Sequence, residues 1–173
     1  VLEAALGRVG PPQRQDEAIE QHRPVIRLSR HRRGKYHYGD SQLDIQDELL
    51  RYSKANRYPA VHYANVLCMC GSTVFSLLVD DDEGATVRKC VSCHSEHALG
   101  DSDQYLEDAE LEECECPCGS GNFEITAGVA LYLDSEDVKW LYIGCRCVKC
   151  GLTACYADWK NETIGFRELL SRI

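Results

Sequence analysis

The feature that most constrains this chain is a cysteine pattern that occurs twice in the same register. Cys68-Met69-Cys70-Gly71-Ser72 leads to Phe75, and Cys116-Pro117-Cys118-Gly119-Ser120 leads to Phe123, in each case five residues past the second cysteine. Each is answered downstream by a Cys-x-x-Cys pair, Cys90 with Cys93 and Cys147 with Cys150. Nineteen residues separate the pairs in the first copy and twenty-eight in the second. A close pair on a turn, a hairpin and a second close pair deliver four thiolates to one tetrahedron, as a structural zinc ion requires. The repeat therefore selects two ligand sets, Cys68, Cys70, Cys90, Cys93 and Cys116, Cys118, Cys147, Cys150. Cys114, Cys145 and Cys155 stay outside. Local spacing alone leaves Cys114 as a substitute for Cys116, Cys145 for Cys147, and His94 or His97 as stand-ins at the first set.

The eleven cysteines are an odd number and sit in metal-binding rather than disulfide-framework spacings. The opening residues show no charged-then-apolar leader pattern, so reduced thiols in the cytoplasm are the expectation. At 173 residues the chain is one ordinary domain or two small ones, and halves this small need staples. No apolar run approaches the roughly 18 residues of a membrane span, and no lipidation motif adjoins a basic tract, so no membrane partner is expected.

The net charge of -9 is unevenly placed. Residues 1–60 carry eleven Lys and Arg against eight Asp and Glu, whereas residues 61–173 carry eight against twenty. Two filled four-thiolate sites would take the total to about -13. A strongly acidic metal-bearing half points to a basic protein partner and disfavours nucleic acid.

Residues 1–21 combine a Gly-Pro-Pro break with polar residues and read as a flexible tail. Residues 22–65 hold a basic, aromatic segment (Arg23, Arg27, Arg30, Arg32, Arg33, Lys35, Tyr36, Tyr38), with Val25–Leu28 a candidate strand. A helix follows through Leu43, Ile45, Leu49 and Leu50, capped by Asp40 or Ser41, its acids early and bases late. Residues 66–100 form the first metal hairpin, with strands at 73–79 and 85–89 around the Asp80–Gly84 turn. Residues 101–113 read as an acidic linker helix. Residues 114–173 form the second hairpin, a third strand at 152–159 and a short closing helix. Trp140 and Tyr142 project to one side of the return strand, either as an exposed aromatic patch with Tyr132 or packed against the Asp40 helix or the other ribbon.

No catalytic constellation is legible. His94-Ser95-Glu96 with Pro117-Cys118 resembles a zinc deaminase pattern, but Gly121 occupies the position of the last required cysteine. A phosphate loop, His-Glu-x-x-His and a Gly-x-Ser-x-Gly elbow are absent. Iron-sulfur runs are absent too, and each Cys-x-x-Cys that could act as a redox dithiol has a matching upstream pair. Arg88, Lys89, Arg146 and Lys149 beside the second pairs are expected to offset the thiolate charge.

On these motifs the two halves resemble zinc ribbons with rubredoxin-like knuckles, over residues 66–100 and 114–160. The resemblance implies two structural Zn2+ sites and leaves function open. The expected fold is α+β, two small antiparallel ribbon hairpins joined by an acidic helix, with an N-terminal helix packed on them. The expected role is a non-enzymatic protein-binding module with an acidic surface, of the inhibitor or immunity-protein kind. Nucleic-acid binding in transcription or translation is the alternative, followed by an enzyme built from scattered residues such as His62, His94, His97 and Glu96.

Overall fold

The computed structural model describes residues 31–161 and 164–173. The proposed tail at 1–21, the strand at Val25–Leu28 and the basic residues Arg23, Arg27 and Arg30 lie outside these residues.

In chain order the described elements are β1 (His31–Arg33), β2 (Tyr36–Tyr38), α1 (Gln42–Ala55), β3 (His62–Asn65), β4 (Phe75–Asp80), β5 (Ala85–Cys90), β6 (Glu96–Ala98), β7 (Glu112–Glu113), β8 (Phe123–Leu131), β9 (Val138–Cys147), β10 (Leu152–Lys160) and α2 (Phe166–Ser171). All ten strands belong to one antiparallel sheet, ordered β1-β2-β10-β9-β8-β4-β5-β6, with β3 added to β8 and β7 to β4. This overturns the expectation of two separate small hairpin sheets in an α+β arrangement. The linker helix is also absent: residues 101–113 hold one 3-10 turn (Ser102–Gln104), further turns and β7. Acidic side chains crowded along one segment repel each other, and hydrogen bonds to β4 offer this backbone a better alternative than a lone short helix.

The two hairpins merge because each lends a strand to the other. Phe75 of β4 lies opposite Phe123 of β8, so equivalent residues of the repeat are paired. Beyond that point β4 and β8 diverge, and each takes a short strap from the chain that precedes the other's partner knuckle. β3, which leads to Cys68, pairs with β8, and the Val66 amide donates to the Ile125 carbonyl at 3.0 Å. β7, which leads to Cys116, pairs with β4, and the Cys114 amide donates to the Leu77 carbonyl at 2.8 Å. The third strands follow the same symmetry, since β6 joins β5 as β10 joins β9.

The two halves of the sheet then pack on each other. Gly84, in the β4–β5 turn, sits so close to β10 that a Cβ there would lie 3.1 Å from the Trp159 ring. Gly100 likewise abuts Leu141 of β9 and Leu169 of α2. The larger of two cores joins the hairpins: Phe75, Leu77 and Leu99 from the first meet Phe123, Ile125, Leu141 and Ile143 from the second, while Ile45, Leu49, Ala60, Ala130 and Tyr142 form a smaller cluster under α1. Neither hairpin could cover its apolar face alone, and a two-stranded ribbon in water is marginal.

Helix α1 covers the opposite face of β8, β9 and β10. It begins where Asp44 Oδ2 accepts the Asp40 and Ser41 amides, each at 2.9 Å, and its first-turn acid and last-turn Lys54 suit the helix dipole. Ile45 and Leu49 are fully buried against Gly144, whose hypothetical Cβ would lie 2.6 Å from Ile45. Trp140 stacks on Tyr58 at 5.0 Å and Tyr142 meets Tyr52 edge-on, so these rings pack toward the helix rather than forming an exposed patch. Leu133, on the β8–β9 turn, is 91% accessible. No helix among the described residues is long and apolar enough to cross a membrane.

Candidate metal centre

Each Cys-x-Cys pair sits on the same tight turn. The Gly71 amide donates to the Cys68 carbonyl at 2.8 Å and the Gly119 amide to the Cys116 carbonyl at 2.7 Å. Cys68 and Cys116 in turn donate to the Ser72 and Ser120 carbonyls, both at 2.9 Å. The turn needs a left-handed residue, which is Gly71 (φ 87°) in one copy and Gly119 (φ 77°) in the other. The second pairs close by a bond from His94 to the Cys90 carbonyl (2.9 Å) and from Gly151 to the Cys147 carbonyl (2.8 Å). Here the left-handed position is held by His94 (φ 61°) at the first site and Gly151 (φ 79°) at the second.

These turns bring the sulfurs of Cys68, Cys70, Cys90 and Cys93 within 4.8 Å of one another, and those of Cys116, Cys118, Cys147 and Cys150 likewise. The nearest pairs are Cys68 with Cys93 at 3.5 Å, and Cys70 with Cys90, Cys116 with Cys150 and Cys118 with Cys147 at 3.6 Å. A zinc ion with Zn–S bonds of about 2.3 Å sets tetrahedral S···S edges of roughly 3.8 Å, whereas a disulfide needs about 2.05 Å. The donor set and spacing therefore fit a tetrahedral, thiophilic cation. In both groups the first cysteine of each pair is buried, while Cys70, Cys93 and Cys150 are exposed and Cys118 is half-buried.

Four sulfurs this close cannot all ionise without a cation, and their titration splits. Cys68 is drawn down to about 5, chiefly by the Ser95 hydroxyl 3.4 Å away. Cys70 accepts the Ser72 amide, the largest single effect, yet donation toward Cys68, Cys90 and Cys93 together with desolvation outweighs it and pushes Cys70 up to about 12. Burial pushes Cys116 up, while Cys147, despite burial, is held down to about 7 by the Cys150 and Lys149 amides. A divalent cation would remove this frustration by stabilising all four thiolates.

The residues left open by local spacing now have places. Cys114 stands in the repeat where Val66 stands in the first copy and packs beside the core, outside the thiol group. Cys145 is fully buried opposite Ile125, and the buried thiol titrates far above its ordinary range. Cys155 packs under α1, where burial likewise raises it. His94 is exposed, and His97 Nε2 lies 3.1 Å from the Arg172 carbonyl, so neither joins the first group. His62 stacks on Phe166 at 4.0 Å, apart from His94 and His97 in the contacts described.

The flanking bases are arranged differently from expectation. Arg88 is buried over the Phe75 ring, Lys89 pairs with Glu96 at 3.0 Å, and Arg146 binds both Glu124 and the Gly39 carbonyl at 2.7 Å. Lys149 reaches the metal turn itself, donating to the Cys118 carbonyl at 3.3 Å.

A second feature was only partly legible in sequence. The Asp80–Glu83 turn and Asp108, Glu110, Glu112 and Glu113 face each other across a groove of about 590 Å3, floored by Val79, Cys114 and Tyr156. Asp80 ties its two walls together by accepting the Glu110 amide at 2.7 Å. The charge run was visible in the sequence; its juxtaposition with the β4–β5 turn depends on β7 pairing with β4.

No protein-family model, curated protein or solved structure matches the chain. The chain carries two four-cysteine groups, each able to hold one metal ion and compatible with tandem zinc-ribbon-like sites.

Proposed function

We propose that the chain is a zinc-stabilised, non-enzymatic docking module whose acidic groove receives a basic partner protein. The observation that supports it is the groove itself, lined by eight carboxylates with no Lys, Arg or His among them. Aligned carboxylates on a protein of net charge -9 steer a cationic surface and orient it on arrival. Zinc is assigned by the donor set, and its role is structural: four cysteines per ion leave no open position for water or substrate. The two ions would hold the turns from which β4, β5, β8 and β9 are suspended, and so would keep the groove in shape.

One observation favours nucleic acid instead. Arg33, Arg146 and Lys149 line a cleft of about 220 Å3 beside Tyr38, a small basic site that could take a phosphate. Arg146 is already engaged by Glu124, and a filled four-thiolate site beside Cys150 would add negative charge, so the acidic groove is the stronger feature.

The deciding experiment is capture with the natively expressed chain, with metal, protein and nucleic acid read from the same sample. Two zinc ions and a stoichiometric basic protein are expected, with binding weakened about tenfold or more in a D81N/D82N/E83Q/E112Q variant. Asp80 is retained there because it accepts the Asp82, Glu83 and Glu110 amides. Nucleic acid that dissociates at high salt, with binding lost on mutation of Arg33 and Lys149, would overturn the docking function.

A further inference from the structure

The two cysteine groups share sequence, turns and register, so the differences between them are informative. The second group is held by long strands and by a segment that crosses its second turn. Its hairpin strands run nine and ten residues, and the chain leaving Cys150 enters the nine-residue β10, which is held between β9 and β2. The end of β2 also closes over the turn: Gly39 donates to the Gly151 carbonyl at 2.8 Å, and a Cβ on Gly151 would lie 2.8 Å from the Gly39 oxygen.

The first group lacks all of this. Its hairpin strands run six residues, and the chain leaving Cys93 enters only the three-residue β6 at the end of the sheet order. Among the described residues no strand covers its second turn, where the left-handed position equivalent to Gly151 is filled by exposed His94. A side chain there strains the backbone as glycine would not. Both outer cysteines of the first group, Cys70 and Cys93, are exposed, whereas at the second group Cys150 is exposed and Cys118 half-buried. Met69 between the first pair is fully solvent-accessible. Openings at a short sheet edge occur at lower free energy than openings in the middle of a sheet, and metal loss follows the opening.

Both groups adjoin the groove, the second because β7 runs on to Cys116 and the less protected first group because of β4. β4 starts just after Cys70, and both groove walls hang from it: the Asp80–Glu83 turn directly, and residues 110–114 through the bonds of β7 and Cys114 to Leu78, Val79 and Leu77. β5 ends on Cys90 itself.

We infer that the first four-cysteine group is a metal-dependent control on the acidic groove, holding it in shape when filled and loosening it when emptied, while the second is a permanent clamp. This rests on the zinc-stabilised docking function proposed above. Emptying is a ligand exchange: a competing chelator takes the zinc ion, and the released thiolates take up protons from water. The β4–β5 hairpin then keeps its core contacts but loses the staple at its open end, and the walls tied to β4 fray with it.

The test uses the zinc-loaded full chain challenged with EDTA. Timed samples are alkylated with iodoacetamide, mapped by peptide mass spectrometry and followed in parallel by amide hydrogen exchange. Two zinc ions at the start, labelling of Cys70 and Cys93 about tenfold or more ahead of Cys118 and Cys150, and faster exchange at residues 108–114 as the first ion leaves are the expected results. His94→Gly should slow release of the first ion and leave the second unchanged. A starting content below two zinc ions would overturn the docking function and the control together. Two ions leaving at the same rate, the second group emptying first, or unchanged exchange at 108–114 after the first ion has left would overturn the control alone.

Discussion

Phe75 and Phe123, equivalent residues of an internal repeat, face each other as cross-strand neighbours, and both are fully buried. That pairing places a local two-fold relation between the hairpins. Around it the chain exchanges β3 and β7, so that each half completes the sheet of the other. Two marginal ribbons thereby share a core, and each is closed by a four-cysteine group able to hold a metal ion.

Cys118→Ser should remove one zinc ion per chain and unfold the second hairpin, because metal binding free energy in small metal domains is folding free energy, of order 10 kcal/mol for a filled site. Cys114→Val, by contrast, should keep both ions, since Cys114 occupies the place of Val66. Metal stoichiometry and thermal melts of the two variants check this. Retention of two ions by Cys118→Ser, or loss of one by Cys114→Val, would exclude the ligand set.

Gly144→Val should destabilise the fold by about 1–3 kcal/mol through overpacking. The new side chain would enter space held by Ile45 and Leu49, pushing α1 off β8 and β9. Urea denaturation read by Trp fluorescence measures the loss, and an unchanged midpoint would mean that α1 does not sit where described.

Opposite effects are expected at the two left-handed turn positions. His94→Gly relieves a strained backbone and should stabilise by about 0.5–1 kcal/mol after allowance for glycine's greater unfolded-state entropy. Gly151→Ala combines φ 79° with a Cβ at 2.8 Å from the Gly39 oxygen and should destabilise. Matching signs in the two denaturation curves would show that the turns are not equivalent.

Zinc affinity should fall as pH drops. The apo thiols of Cys70, raised to about 12, and of Cys116, raised by burial, must lose protons when metal binds, so binding releases protons and acid opposes it. Competition with a chromophoric chelator at pH 6 and pH 8 should give the weaker apparent affinity at pH 6. A pH-independent affinity would mean that sulfur is not the donor.

Much of the candidate metal centre was legible because it is written in short spacings. Two cysteines one or two residues apart on a glycine turn can point their sulfurs only to one side, and the repeat identifies which pairs belong together. Helix α1 was legible for a similar reason, its cap, charge order and apolar spacing lying within fourteen residues. The acidic linker misled because charge content alone does not distinguish a solvated helix from a strap. Its backbone is decided by β4, whose free edge accepts Glu112 and Glu113. Trp140 and Tyr142 were ambiguous because alternation says which rings share a side but not what covers that side.

By itself, then, the amino-acid sequence determined the two sets of thiols, the turns that aim them, the hairpins between them and the surplus of acid. Only the tertiary structure decided that the hairpins are one sheet, that Cys114 and Cys145 are core residues, and that two acidic segments face each other across a groove. The physical reason is range. Turns and helix caps are satisfied by residues a few positions apart, whereas the exchange of β3 and β7 depends on strand edges distant in sequence. Those edges find partners only when the apolar faces of both hairpins close over a common core.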